Sequence, residues 1–266
     1  MITNALANSK TGYYVDLQSD IFITPNFGRP IRKTSKWKHT TYLPHIYTKE
    51  ELEKFFTACD TMGRPYNNLE CKLNEIELPI LFRLLYSTGM RTTEVRLLRT
   101  ENVDLSKGVI YISKDATKGY RERKVLVHDS MLEILRIYDK AVSALVPDRK
   151  VFFPNDHDGT HSDGWLSSHF SRIWKSAGNP AGVVAYDLRH NFIIERINSW
   201  TDDGYEIHSD LVTLSLYVGH SKLQKTYSYY AYVPRLGKTI EEKSGTKLDN
   251  IIPTIDYLSD EDYKKK

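Results

Sequence analysis

Residues 219–230 read GHSKLQKTYSYY, a run towards the C-terminus that is dense in polar and aromatic side chains. Within it, Tyr229 lies nine residues after His220. The chain has 18 tyrosines, so most of them pack against other residues, and the offset from His220 is what singles out Tyr229. A tyrosine oxygen can act as a nucleophile when its negative charge is stabilised or a base removes its proton.

Two upstream runs supply arginines. TGMRTTE at residues 88–94 contains Arg91, and YDLRH at residues 186–190 contains Arg189 and His190. A guanidinium suits the non-bridging oxygens of a phosphate, because its planar fork matches two oxygens and stays protonated. Arginines, histidines and a tyrosine spread so widely are not a local packing pattern. Together they can cut and rejoin a nucleic-acid backbone without a metal.

The order and spacing of these runs resemble the tyrosine recombinases of the phage integrase family, over about residues 46–236. Lys118, in TKGYRER at residues 117–123, extends the match. The resemblance implies that the two arginines clamp the scissile phosphate, the lysine protonates the leaving 5′ oxygen, the histidines lie at the phosphate and the tyrosine attacks. The implied catalytic residues are Arg91, Lys118, Tyr186, Arg189, His190, His220 and Tyr229.

Tyr186 departs from the family pattern, since histidine is frequent at this position. A phenol can donate a hydrogen bond to a phosphate oxygen, but with a reference pKa of about 10 it carries protons poorly near neutral pH. We expect Tyr186 to position the substrate and proton transfer to occur elsewhere.

Each of these residues also has a simpler interpretation. Arg91 and Glu94 can form a surface ion pair of little value. His190 and His220 can be buried histidines at helix ends. Lys118 can be an exposed lysine in a hairpin. Other residues nearby compete for the lysine and tyrosine roles: Lys114, Arg121 and Lys124, and Tyr227, Tyr230 and Tyr232.

The composition is that of an ordinary globular chain of 266 residues, with a net charge of +3 that permits nucleic-acid binding but does not argue for it. No apolar run is long enough to cross a bilayer, and the N-terminus lacks a signal pattern. Cys59 and Cys71 form no disulfide framework, which favours a reducing cytoplasm. No glycine loop for phosphates and no metal-ligand spacing is found, so we expect no cofactor.

The hydrophobic periodicity predicts an α+β fold, mainly α, in which a helical bundle carries a small antiparallel β-sheet. Thr48 and Glu51 form a capping box that opens a helix. A second helix is expected from about Asn74 to a glycine cap at Gly89, with Pro79 in its first turn. Strands are predicted at 109–112 and 123–127, and further helices at 131–145, 165–177, 188–200, 211–218 and 224–230.

Three regions are predicted: an extended basic arm at residues 1–45, a catalytic domain at 46–250 and a C-terminal tail at 251–266. The arm is expected to follow DNA phosphates, although a solvated surface linker explains its charges equally well. Its candidate DNA contacts are Arg32, Lys33, Lys36 and Lys38. The resemblance implies a helical core-binding domain before the catalytic one, and the residues before Thr48 are too few for it.

The sequence therefore predicts a site-specific recombinase that cuts and rejoins double-stranded DNA through a 3′-phosphotyrosyl intermediate, without metal or ATP. We expect a cytoplasmic protein that forms a homo-oligomer on DNA or works with a partner recombinase, and that has no membrane partner. Two alternatives stay open. One is a nicking and closing enzyme like a topoisomerase, and the other is a DNA-binding regulator that kept the fold and lost turnover.

Overall fold

The computed structural model describes residues 13–14, 24–25, 43–63, 65–114, 122–200 and 207–232. The chain divides into two units, residues 1–43 and 44–266. In the first unit, strands β1 (Tyr13–Tyr14) and β2 (Thr24–Pro25) pair antiparallel, with Tyr13 opposite Pro25. The candidate DNA contacts of the predicted arm, Arg32, Lys33, Lys36 and Lys38, lie outside the described residues, as does the C-terminal tail.

The second unit is mainly helical. Its α-helices are α1 (Lys49–Asp60), α2 (Leu69–Thr88), α3 (Thr92–Arg96), α4 (Asp129–Leu145), α5 (Trp165–Ser176), α6 (Asp187–Ser199), α7 (Ile207–Val218) and α8 (Gln224–Tyr227). The second unit also contains the 3-10 helices Thr100–Asn102 and Ser228–Tyr232. None of the helices described is long and apolar enough to cross a membrane.

Strands β3 (Val103–Asp104), β4 (Val109–Ile112) and β5 (Arg123–Leu126) form an antiparallel sheet in the order β3-β4-β5. Ile112 pairs with Arg123, so the β4–β5 connection contains Lys118. Residues 115–121 of this connection, and Lys118 with them, lie outside the described residues. The predicted fold class, mainly α with a small antiparallel sheet, is confirmed.

Helix α1 begins as predicted, since the Thr48 hydroxyl accepts from the Glu51 amide at 3.2 Å and the Glu51 carboxylate accepts from the Thr48 amide at 2.8 Å. The predicted start of α2 near Asn74 was wrong. The helix starts at Leu69, where the Asn68 side chain accepts a hydrogen bond of 2.9 Å from the Cys71 amide.

Pro79 therefore lies in the middle of α2 rather than in its first turn. A proline inside a helix costs about 3 kcal/mol. Here the cost is offset by packing, because α2 buries apolar side chains on both sides of the proline, among them Leu73, Leu78 and Leu81. Tertiary burial outweighs the local signal that a proline gives.

Two hydrophobic clusters hold the second unit together. The larger contains packed aromatic side chains, with ring centroids 5.0 Å apart for Phe55 and Phe170 and 5.6 Å apart for Phe82 and Phe170. The smaller forms around α6 and α7, and it contains Phe192, Ile193, Ile194, Ile197, Leu211, Leu214, Val218 and Tyr229. Tyr217 packs against both clusters. Of the predicted catalytic residues, Arg189, His190, His220 and Tyr229 lie on or directly beside the elements that form this smaller cluster.

Candidate active site

Arg91 lies at the junction between α2 and α3. The chain turns there through Gly89, whose φ of 63° suits glycine, and a Cβ at Gly89 would clash with the Phe192 ring. The Arg91 guanidinium donates to Glu94 Oε1 at 2.6 Å and to the Gly219 carbonyl. Its side chain is 21% exposed, so a ligand can reach this cation from solvent.

Glu94 is fully buried and pairs with two arginines, so the Arg91–Glu94 pair is not the surface pair of the simpler interpretation. Arg123 on β5 donates to both of its carboxylate oxygens, at 2.7 and 2.6 Å, and its Nε donates to the Tyr217 carbonyl at 2.8 Å. Burial acts to raise the pKa of Glu94, but Arg123 and Arg91 outweigh it and hold this pKa below its usual range. The carboxylate is therefore ionised and fixes both guanidinium groups.

Arg189 lies beneath the site and is 1% exposed. Its Nη1 donates to the Gly89 carbonyl, and its Nη2 donates to the Val218 carbonyl at 2.7 Å. These carbonyls belong to the C-terminal ends of α2 and α7, where the helix dipole favours a cation. Burial, assisted by the charge of Arg91, lowers the pKa of Arg189 to about 10, which leaves it charged at neutral pH. Within the described structure its buried Nε has no hydrogen-bond partner.

Tyr229 lies in the 3-10 helix at residues 228–232 and is 8% exposed. Its hydroxyl is 2.7 Å from His190 Nδ1. Burial raises the pKa of the phenol, and the nearby charge of Arg189 opposes this shift only in part. Of the competing tyrosines, Tyr227 is 39% exposed and contacts His208 instead.

His220 stacks on the Tyr229 ring, with centroids 5.9 Å apart and planes inclined by 8°. Its Nδ1 is 2.8 Å from the hydroxyl of the fully buried Thr226. Burial, followed by the charges of Arg189 and Arg91, lowers the pKa of His220 to about 3, so its imidazole is neutral at neutral pH.

Gly219 precedes this histidine with a φ of 72°, and a Cβ there would lie 3.1 Å from Arg123 Nη1 and 3.2 Å from Arg91 Nη1. The glycine thus allows the turn after α7 to approach both guanidinium groups closely. This close approach explains why the run at residues 219–230 begins with a glycine.

Tyr186 and His190 stand one turn apart at the start of α6. Their rings meet edge to face, with centroids 4.9 Å apart, and Tyr186 is 37% exposed at the rim of the site. Burial lowers the pKa of His190, Asp187 opposes the shift and Arg189 adds to it. His190 is therefore neutral at neutral pH.

The sequence interpretation missed three residues that hold the site in place: Arg123, Asn191 and Thr226. Asn191 is buried, accepts from the Tyr47 amide at 2.9 Å and donates to the His45 carbonyl at 2.6 Å, which fastens α6 to the segment before α1. Arg123 stands in the same basic run as Arg121 and Lys124, and only its position five residues after Lys118 distinguishes it. Asn191 and Thr226 carry no local signal.

The described structure thus brings together Arg91, Tyr186, Arg189, His190, His220 and Tyr229. Two cations, two neutral imidazoles and two phenols in one place can bind a phosphate and direct an oxygen at it. Among the described residues, no group of three or more His, Cys, Asp or Glu side chains could hold a metal ion.

Comparison with known proteins gives a family match over residues 46–234, to the phage integrase family. Tyrosine recombinase XerC of Lactobacillus delbrueckii subsp. bulgaricus is 28% identical over 196 residues, which cover 70% of this chain and 65% of that protein. The y4rE protein of Sinorhizobium fredii, provisionally named an integrase/recombinase, is 31% identical over 193 residues, which cover 70% of this chain and 59% of its own length. The chain thus spans less than two thirds of either relative.

Among solved structures, the XerH site-specific recombinase bound to a palindromic difH substrate, a post-cleavage complex, superposes with a TM-score of 0.59 and 23% identity. The match covers 76% of this chain and 53% of that one. These values show a shared fold.

Proposed function

Since the chain belongs to the phage integrase family, we propose that it is a site-specific recombinase that cuts and rejoins double-stranded DNA through a 3′-phosphotyrosyl intermediate. Its fold is that of a tyrosine recombinase catalytic domain. The observation that supports this proposal most strongly is the contact between the Tyr229 hydroxyl and His190 Nδ1, on the helix that also carries Arg189.

In the proposed reaction, Arg91 and Arg189 hold the non-bridging oxygens of the scissile phosphate. A guanidinium has five N–H donors, so both side chains retain donors beyond those bound to backbone carbonyls and Glu94. Because these carbonyls and the carboxylate already fix the two cations, the cations need little rearrangement as negative charge grows on the phosphate. This pre-organisation is what stabilises a transition state most effectively.

The Tyr229 oxygen attacks phosphorus, a bond to the 3′ phosphate forms and the bond to the 5′ oxygen breaks. We assign Lys118 as the acid that protonates the leaving 5′ oxygen, and neutral His220 as a hydrogen-bond partner of the phosphate. A 5′ hydroxyl from another strand then reverses the step. The energy of the phosphodiester is retained in the phosphotyrosyl bond, so the cycle requires no ATP.

The proposed partner is DNA held by several copies of the chain, or by this chain together with a partner recombinase, in a reducing cytoplasm. The basic arm before residue 46, with Arg32, Lys33, Lys36 and Lys38, is proposed to add phosphate contacts beside those of the catalytic domain at 46–250. Such contacts would strengthen binding without selecting a sequence.

The test is a nicked suicide substrate, from which the cleaved end escapes and leaves the protein attached to DNA. The wild-type protein should accumulate the adduct, Tyr229→Phe should form none, and both should bind the DNA with similar affinity. Tyr227→Phe is the matched control, because Tyr227 is exposed and contacts His208. A normal adduct yield from Tyr229→Phe assigns attack to another residue, and no adduct from the wild type on DNA that carries its own site favours the DNA-binding regulator.

A further inference from the structure

We infer that His190 is the general base that takes the proton of Tyr229 as the phenol attacks the phosphate. This inference rests on the proposed recombinase function and adds the identity of the proton acceptor. His190 Nδ1 and the Tyr229 oxygen are 2.7 Å apart, within the range in which a proton passes directly between two atoms. The acceptor and the nucleophile are thus in place before DNA binds.

His220 is the other histidine at the phenol, but its geometry is unsuited to the task. Its ring lies parallel to the Tyr229 ring, and its Nδ1 is 2.8 Å from the Thr226 hydroxyl. Among the described contacts, the hydrogen bond to the Tyr229 hydroxyl is made by His190, and none joins His220 to this hydroxyl. Its pKa of about 3 also makes it a weak base.

The carboxylates near the site are already bound elsewhere. Glu94 accepts hydrogen bonds from Arg91 and Arg123, and Asp187 accepts one of 3.0 Å from the Val184 amide. Tyr186 meets His190 edge to face, and a phenol offers no basic nitrogen. Among the described residues, His190 alone combines a hydrogen bond to the nucleophilic oxygen with a basic nitrogen.

The charges around His190 suit both halves of the transfer. Burial and Arg189 keep its imidazole neutral before the reaction, so Nδ1 has a lone pair to accept the hydroxyl proton. Asp187, on the same helix, acts to raise the pKa of His190 and so favours the imidazolium that forms. Because burial raises the pKa of Tyr229, this hydroxyl keeps its proton until a base removes it.

The protons balance over the cycle. On attack, the proton moves from the Tyr229 oxygen to His190 Nδ1, the oxygen–phosphorus bond forms, and the 5′ oxygen leaves as a hydroxyl with a proton from Lys118. When a 5′ hydroxyl attacks the phosphotyrosine, its proton returns to Lys118, and the tyrosine oxygen leaves and takes its proton back from the His190 imidazolium. The base is therefore regenerated in each rejoining step, without a further proton source.

The decisive variant is His190→Asn, measured by single-turnover cleavage of the suicide substrate at saturating protein. Asparagine places an oxygen near the position of Nδ1, so it can keep the hydrogen bond to Tyr229 but cannot take the proton. We expect a loss of cleavage rate of about 10²–10⁴-fold, the usual contribution of a general base. DNA affinity and thermal stability should stay near the wild-type values. His208→Asn is the matched control, because His208 contacts Tyr227 rather than the nucleophile.

The pH profile separates proton transfer from packing. Wild-type cleavage should slow as the pH drops through the pKa of His190, which lies below the usual histidine value of about 6.5. His190→Asn should lack this loss of rate at low pH, and its cleavage should speed up towards high pH. Among the described residues, the titratable and charged groups around His190 are Tyr186, Asp187 and Arg189 at the start of α6, Tyr229 on the 3-10 helix and His220 on the turn after α7. Asp187→Asn is the control for the neighbouring carboxylate, and it should keep the loss of cleavage at low pH that His190→Asn removes.

If His190→Asn folds poorly, His190→Gln takes its place in every measurement, because its amide also cannot take the proton. A further measurement changes the acidity of the nucleophile. Fluorinated tyrosine at position 229 has a more acidic hydroxyl, so it should restore much of the rate to His190→Asn and change the wild-type rate little. Equal rates and equal pH profiles for the wild type and His190→Asn would overturn the role of His190 and leave the phosphotyrosyl mechanism standing. If the wild type forms no adduct, the proposed function fails first.

Discussion

The arginine clamp and the nucleophile segment are held in opposite ways. The clamp, defined as Arg91, Glu94, Arg123 and Arg189, is a connected set of charges, all buried except the half-buried Arg91. In it, the Glu94 carboxylate and several backbone carbonyls accept hydrogen bonds from the arginines. The nucleophile segment, residues 224–232, is a helix of four residues followed by a 3-10 helix. The Tyr229 hydroxyl of this segment lies 2.7 Å from Nδ1 of His190.

Rigidity matters more in the clamp than in the nucleophile segment. The clamp must present fixed charges and dipoles to a phosphate. If its cations had to reorient during the reaction, the cost would cancel most of the stabilisation of the transition state. The phenol has to reach phosphorus and later leave it, so a short element with few bonds suits it. The clamp should thus respond to substitution through both rate and stability, and the nucleophile segment through rate alone.

The largest effect is expected from the clamp arginines. Arg189→Lys and Arg91→Lys should each slow cleavage about a hundredfold or more, because lysine keeps the charge but loses the fork that binds two oxygens. Arg189→Lys should also lower stability, since one ammonium cannot replace the bonds to the Gly89 and Val218 carbonyls. Single-turnover cleavage and urea unfolding measure the two effects.

Arg83→Lys is the matched control, because Arg83 binds Asp60 with two donors at 2.8 and 2.7 Å away from the site. It should cleave at the wild-type rate. Near-normal cleavage by both clamp variants would show that neither arginine holds the phosphate.

The next effect concerns stability and its dependence on pH. Glu94→Gln should destabilise the fold by about 3 kcal/mol or more, because it leaves two arginines without their buried counter-charge. The pKa of Glu94 is lowered in the folded state, so its stabilisation is present above its usual pKa of 4.5 and is lost as the pH falls below that value. Urea unfolding between pH 3 and 7 should therefore show a steeper acid loss in the wild type than in Glu94→Gln.

Glu101→Gln provides the comparison for an exposed pair, since Glu101 is 73% exposed and 3.9 Å from Arg99. It should change stability by less than about 1 kcal/mol. If Glu94→Gln behaves like Glu101→Gln, the clamp does not hold its arginines by charge.

The sequence predicted the parts of the molecule that depend on local signals. The capping box at Thr48 and the glycine stop at Gly89 act through residues close in the chain, and both helix ends are where they were expected. The start of α2 was missed because burial along its length overrides Pro79. Arg123 and Asn191 were missed because their partners, Glu94 and His45, lie 29 and 146 residues away. Such contacts follow from the tertiary fold, which no local pattern encodes.

The smallest effect is expected at Tyr186, which lies beside His190 at the rim of the site. Tyr186→His should keep or raise the cleavage rate, since it adds a proton carrier next to His190 at a position that is 37% exposed. A substitution this exposed should change stability by about 0.5 kcal/mol or less. In the His190→Asn background the same change should recover part of the lost rate, because a new imidazole near Tyr229 can accept its proton. A severe loss of cleavage in folded Tyr186→His would show that the phenol has a role of its own. The rigid part of the site would then include the start of α6 as well as the clamp.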